Sequence, residues 1–184
     1  MPARRIMTAD EIRRAIVRVS HEIVEKQGGT QGLVLVGIQR RGVPLAHRLA
    51  AAIEAHEAVS LEVGALDITF YRDDRDRLGP HPVVKGTDLP FPIEDATVVL
   101  VDDVLYTGRT VRAALDELTD FGRPRRISLC TLVDRGGREL PIQADIVGLV
   151  VKTGPGDRVD VLVEELDGRD QVDLIRGTPK EVSG

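Results

Sequence analysis

The sequence predicts a doubly wound, largely parallel α/β sheet, and three observations carry that expectation. Short apolar runs alternate along the chain with stretches whose apolar residues recur at helical spacing. One run, Val98-Val99-Leu100-Val101, is apolar throughout, as suits a parallel strand buried on both faces. Finally, 184 residues with neither a tandem repeat nor a low-complexity block fit a single domain, residues 1–184, with a substantial core.

Taken in order, Thr8-Ala9-Asp10-Glu11 is a capping-box pattern, and Ile12, Ile16, Val19 and Ile23 form one stripe up to Gly28-Gly29, so a helix is predicted there. Residues 33–38 predict a strand. The loop Gln39-Arg40-Arg41-Gly42 follows, then a helix opened by Pro44 and carrying Leu45, Leu49 and Ile53. Alternation over residues 66–71 predicts a strand with one covered face. Residues 72–92 then dissolve into charges, Gly and Pro, a long loop of the kind that serves as a lid. The strand beginning at Val98 leads into a helix with Val111, Ala114, Leu115 and Leu118 on one face, stopped by Gly122 and Pro124. Further strands are predicted over residues 127–133, 146–151, 159–163 and 172–175.

Composition narrows the function classes. A net charge of −5 and an aromatic fraction of 3% exclude a basic nucleic-acid coat and a stacking platform for single strands, so any RNA site must be a local patch. The single cysteine, Cys130, lies in an apolar run and reads as a buried small hydrophobe. No apolar core follows Arg4 and Arg5, and no run approaches the length that spans a bilayer, so the expected location is the cytoplasm, with no membrane partner.

Residues 98–110 concentrate the chemistry. An apolar strand ends in Asp102-Asp103, and Tyr106-Thr107-Gly108-Arg109-Thr110 then opens a helix. Amides at a helix start point outward unpaired, Gly108 lets the backbone approach a ligand, and the two hydroxyls can donate to phosphate oxygens. The adjacent carboxylates can accept from vicinal hydroxyls or hold hydrated Mg²⁺. A phosphate beside a diol describes a ribose 5-phosphate. The classical P-loop and the dinucleotide fingerprint are both absent. In doubly wound sheets ligands sit beyond the carboxyl ends of the strands, the edge from which Gln39-Arg40-Arg41-Gly42 also departs.

This segment resembles, over its whole length, the phosphoribosyl pyrophosphate (PRPP) signature of the type I phosphoribosyltransferases. The resemblance implies a sheet of that kind with a flexible lid loop and a small base-covering hood. It also implies that Tyr106, Thr107, Gly108, Arg109 and Thr110 take the 5-phosphate, that Asp102 and Asp103 orient the ribose diol directly or through Mg²⁺-bound water, and that Arg40 and Arg41 grip the pyrophosphate. Arg72 would contribute from the lid, and Val133, Asp134 and Arg135 would border the base. Tyr106 stands where 6-oxopurine members usually carry an Asp, which points away from purines.

Residues 67–74, Gly122-Arg123-Pro124, residues 132–142, Ala144-Asp145 and His21-Glu22-Ile23 further resemble the pyrimidine operon attenuation regulators that are also uracil phosphoribosyltransferases. That family implies two activities: uracil and PRPP give UMP and pyrophosphate, and the leader mRNA of pyrimidine genes is bound in response to UMP or UTP. Arg14, Arg18 and His21, with Lys26 nearby, supply a basic stripe on the first helix opposite its apolar face. The family also implies a homodimer or larger homo-oligomer. The chain departs from the family pattern at Gly137, commonly His, and at residues 149–154, commonly Lys-Asn-Ile-Pro-Thr-Ser-like. Two readings therefore stand beside the bifunctional one: a phosphoribosyltransferase for another nucleobase without RNA regulation, and a regulator that uses the nucleotide pocket only as a sensor.

Overall fold

The computed structural model describes residues 3–69 and 86–177. Arg72 and most of the expected lid lie outside the described residues.

Five parallel strands form the central sheet, in the order β3 (Glu62–Leu66), β2 (Leu33–Ile38), β4 (Thr97–Leu105), β5 (Arg126–Asp134) and β6 (Ile146–Val150). All six residues of β2 are buried, because helices cover both faces of the sheet. α1 (Ala9–Gln27) and α2 (Gly42–Glu57) pack on one face, where Ile12, Ile23, Leu45 and Ile53 meet Leu35, Val99 and Val101. α3 (Arg109–Thr119) packs on the other, where Val111, Ala114 and Leu118 meet Val36, Val98 and Leu100. This is the doubly wound arrangement that the sequence predicts.

The capping box of α1 forms as its pattern predicts: Glu11 N–H donates to the Thr8 hydroxyl at 3.3 Å, and Thr8 N–H donates to the Glu11 carboxylate at 2.8 Å. Gly28, in the left-handed region, closes the helix. Cys130 is buried in the core, and that burial pushes its thiol up to about 12, with the Glu22 charge adding to the shift.

A second sheet, antiparallel, has the order β1 (Ala3–Met7), β8 (Gln171–Ile175) and β7 (Arg158–Leu162). Only alternate residues of β7 and β8 are buried, since this sheet covers one face alone, and Val159, Val161, Val172 and Leu174 join the core beneath α1 and α2. The one-turn helix α4 (Glu164–Asp167) lies between β7 and β8.

Two boundaries depart from expectation. The strand predicted over residues 66–71 lies earlier, as β3, and ends at Leu66. There the Asp67 carboxylate turns the chain by accepting the N–H and hydroxyl of Thr69 and the N–H of Gly86, which defeats the alternation that continues into Ile68. β4 carries Asp102 and Asp103 near its carboxyl end as expected, but runs two residues past them to Leu105 before the turn begins. β1 and α4 carry no periodicity that sequence reading could use. Among the described residues, no helix is long and apolar enough to cross a membrane.

Candidate active site

The carboxyl edge of β4 gathers the predicted residues. Asp102 is 6% exposed and its Oδ1 accepts the Asp103 N–H at 2.9 Å, while Asp103 Oδ1 accepts the Val104 N–H at 2.8 Å. The Thr131 hydroxyl donates to the Asp103 carbonyl at 3.3 Å, fixing the strand end from β5. Beyond Leu105 the chain turns through Tyr106 and Thr107 to Gly108, whose φ of 92° caps α3 in the left-handed region that glycine favours. The Arg109 N–H donates to the Thr107 hydroxyl at 3.2 Å.

The helix starts differ in a way that bears on ligands. α1 fills its own first turn with Asp10 and Glu11, whereas α2 and α3 have no acid there. A helix start without its own carboxylate leaves its positive end for an external anion. Both of these starts lie at the carboxyl edge of the sheet.

The loop Gln39-Arg40-Arg41-Gly42 follows β2 and is held close to β4. A Cβ on Gly42 would fall 2.3 Å from the Val101 carbonyl oxygen, so no larger residue fits that approach. The Gln39–Arg40 peptide is cis. Arg40 is exposed, and Arg41 forks the Asp167 carboxylate through Nε at 3.1 Å and Nη2 at 2.8 Å. That bond to Asp167 raises Arg41 above its ordinary value against the opposing effect of burial, and the charges of Asp103 and Asp160 add to it. Asp103 and the arginine loop therefore share one electrostatic neighbourhood. Arg40 likewise contributes to holding Asp167 below the usual carboxylate range, after the leading bond from Arg41.

On the other side of the β4 edge, residues 136–142 dock against the Thr107 turn. Glu139 and Leu140 N–H both donate to the Thr107 carbonyl, at 2.9 and 3.1 Å, and Arg109 Nε reaches Glu139 at 2.7 Å. Arg138 is the hub: its guanidinium donates to the carbonyls of Tyr106 at 2.9 Å and Ile142 at 2.8 Å and to the Asp134 carboxylate at 2.6 Å. Burial alone would raise Asp134, but the bonds from Arg138 and the Gly136 N–H outweigh it and hold this carboxyl below its usual range.

The predicted base-bordering residues divide. Val133 is fully buried, so only its backbone can reach a ligand. Arg135 is buried too; its Nη2 donates to the Asp157 carbonyl at 2.6 Å, and its guanidinium stacks 3.8 Å from the Tyr106 ring centroid. Gly137 abuts the edge of the same ring, where a Cβ would come within 2.4 Å of Tyr106 Cε2. Tyr106, 44% exposed, is thus backed by a buried cation at the mouth of the site.

The RNA candidates Arg14, Arg18, His21 and Lys26 all lie on the exposed side of α1. Arg14 pairs with Asp10 at 2.7 Å and Lys26 with Glu22 at 3.2 Å. Arg18 and Lys26 also donate to the carbonyls of Gly148 and Asp145, which brings the stripe against β6. The His21 ring stacks on His56 of α2 at 3.8 Å. Sequence reasoning missed Asp167, whose partner Arg41 lies 126 residues away, and it missed the reach of Arg138 to the Tyr106 and Ile142 carbonyls, although Arg138 itself lies within the 132–142 resemblance.

With this geometry in place, comparison with known proteins decides the family. The phosphoribosyl transferase domain family matches residues 4–159. A bifunctional protein PyrR of Chloroflexus aurantiacus is 58% identical over 178 residues, 97% of this chain and 98% of that one. The chain belongs to the phosphoribosyltransferase family, among its bifunctional PyrR members. Other PyrR relatives of this phosphoribosyltransferase come from Thermus thermophilus, 58% identical over 92% of this chain and 93% of that one, and Clostridioides difficile, 54% identical over 92% and 96%. Among solved structures, the hypoxanthine phosphoribosyltransferase of Trypanosoma cruzi superposes with a TM-score of 0.69 at 18% identity, over 95% of this chain and 97% of that one. That of Staphylococcus aureus gives 0.67 at 21%, over 96% and 93%. At such identities these two establish the phosphoribosyltransferase fold alone.

Proposed function

We propose that this phosphoribosyltransferase converts uracil and PRPP to UMP and pyrophosphate, and that it binds the leader mRNA of pyrimidine genes in response to uridine nucleotides. The observation that supports it most is the seating of residues 102–110, where strand-end acids run into a left-handed Gly108 and an acid-free helix start, in a chain 58% identical to proteins named bifunctional PyrR.

The transfer breaks the bond from the anomeric carbon to the diphosphate, which leaves with the electron pair, and forms the bond from uracil N1 to that carbon, while the N1–H bond breaks and its proton passes to the departing diphosphate or to water. The protein's work is to hold the sugar and stabilise the departing charge. Thr107 and Thr110 hydroxyls and the amides from Gly108 onward take the 5-phosphate. Asp102 and Asp103 accept from the ribose hydroxyls, and Arg40 and Arg41 face the diphosphate. Asp134 and the Val133 backbone line the base side; Tyr106, expected with the phosphate residues, is assigned here to the base side as well because its ring stacks on Arg135, which supports it from beneath.

The residues fit Mg²⁺ arriving with its substrate. No group of three or more ligating side chains gathers among the described residues, and Mg²⁺ favours one or two carboxylates with substrate phosphates and water, the set that Asp102 and Asp103 would complete. When bound, the ion neutralises the leaving diphosphate.

For RNA, the α1 stripe supplies the basic patch, and a homo-oligomer would multiply it. The alternatives are separated by two measurements. Pyrophosphate release from PRPP and Mg²⁺ is followed with uracil, hypoxanthine, guanine, xanthine, adenine and orotate; turnover with uracil alone is expected, and turnover with a different base instead would overturn the substrate. Binding of a pyrimidine leader hairpin is expected to weaken with salt and with Arg14→Gln plus Arg18→Gln, and its absence would leave an enzyme without regulation. Asp103→Asn is expected to lower turnover at least tenfold, on the order of one charge-assisted hydrogen bond; intact turnover would sink the diol assignment.

A further inference from the structure

The arginine loop is anchored from an element that no motif marks. Asp167, at the end of α4, meets Arg41 across 126 residues of sequence, and its Oδ2 also accepts the Val163 N–H at 2.9 Å, so the carboxylate is itself fixed. A guanidinium has two edges that can fork an oxyanion. Asp167 takes the side edge, formed by Nε and Nη2, and among the described residues the end edge, Nη1 with the second Nη2 hydrogen, is left for another oxyanion. The Arg41 side chain is 32% exposed.

A tie between the two helices does not by itself require this pair. Two turns further along α2, Arg48 forks both Glu165 and Asp170 at 2.6–2.8 Å, joining α2 to the same short segment. What distinguishes Asp167 is where its arginine stands, in the loop whose Gly42 is pressed against the backbone of Val101 and Asp102 at the carboxyl edge of β4.

We propose that Asp167 is a positioning residue for phosphoribosyl transfer, clamping the side edge of Arg41 so that its end edge faces the diphosphate of the sugar substrate. The inference rests on the reading above that Arg41 grips that diphosphate. An arginine already held in one rotamer loses less freedom when it engages an anion, and its charge is aimed before the leaving group forms.

The test compares Asp167→Asn, Arg41→Lys, their combination, and Arg48→Met in steady-state kinetics with thermal melting alongside. Asp167→Asn is expected to lower kcat/KM for PRPP about tenfold while KM for uracil holds, and to add nothing in the Arg41→Lys background. Arg48→Met is expected to lower the melting temperature and to leave kcat/KM for PRPP unchanged. Unchanged or raised kcat/KM in Asp167→Asn, an equal further loss in the Arg41→Lys background, or a matching loss in Arg48→Met would overturn the proposal. If the wild type turns over no base, the activity reading fails separately, and calorimetry with inorganic pyrophosphate and Mg²⁺ decides this one. Non-additive changes in pyrophosphate affinity for Asp167→Asn and Arg41→Lys then support it, and additive or absent changes overturn it.

Discussion

The central and second sheets are held by different means. In the central sheet, strands such as β2 are buried along their whole length between two apolar layers. In the second sheet only alternate residues of β7 and β8 are buried, and the segments around it are fastened by charge: Arg41 and Arg48 to α4, Arg135 to the Asp157 carbonyl, and Arg176 to the Asp157 carboxylate. Asp102 and Asp103 ride on the apolar frame, while the arginine loop and residues 134–142 are adjusted by polar ties. The difference separates robustness from aim. Apolar burial fixes where Asp102 and Asp103 stand, and directional bonds fix how the groups around them point.

The comparison is broken most readily by one substitution made in each sheet. Leu100 of β4 and Leu174 of β8 are both fully buried. Leu100→Ala, walled on two sides, is expected to cost about 4 kcal/mol in urea denaturation, and Leu174→Ala about 2 kcal/mol because a one-sided layer relaxes more easily. Equal losses would show that the second sheet is as tightly set as the first.

A polar tie is expected to register in ligand handling more than in stability. Arg138→Gln removes the bonds that hold the Tyr106 carbonyl and Asp134, and KM for uracil should rise about tenfold, equivalent to roughly 1.4 kcal/mol. A melting temperature that collapses while KM stays put would place Arg138 with the frame.

Gly137→Ala probes the Tyr106 mount. At a φ of 79°, a side chain there costs about 1 kcal/mol, and its Cβ must push the tyrosine ring aside. Chemical denaturation reads the first effect, and a changed KM for uracil with an unaltered KM for PRPP reads the second.

The smallest effect concerns acid. Backbone N–H groups of Gly154 and Gly177, with Arg176, hold the Asp157 carboxyl at about 2, below its ordinary 3.8, against the opposing effect of burial. A depressed folded value stabilises above the ordinary value, and that contribution is lost as pH falls from 3.8 toward about 2. Melting temperatures across this window should fall less steeply for Asp157→Asn than for the wild type; identical slopes would remove Asp157 from the acid response.

What was legible in the sequence follows the same division. Apolar runs and stripes announce β2, β4, β5, α1 and α3 because burial imposes a period on residue type. The 98–110 segment was readable because strand, acids, glycine and helix start are consecutive. The pairing of β1 with β8 was not, since an edge strand reading Ala-Arg-Arg-Ile-Met has no period, and its partner lies at the other end of the chain. Asp167 and the reach of Arg138 were hidden for a related reason: a fork between residues 126 apart, or a guanidinium on two carbonyls, leaves no mark on the residues between. The resemblance implies that Arg135 borders the base, but no local pattern shows that its guanidinium lies buried against the Tyr106 ring.

The mounting of Tyr106 also has an optical side. The chain contains no tryptophan and two tyrosines, Tyr71 and Tyr106. Near-ultraviolet excitation therefore falls on two phenols with no indole to drain their emission, and one of them is stacked on a guanidinium at the mouth of the site. Anything that enters there and disturbs that stack changes the light the protein gives back, so the unlabelled molecule carries its own titration signal.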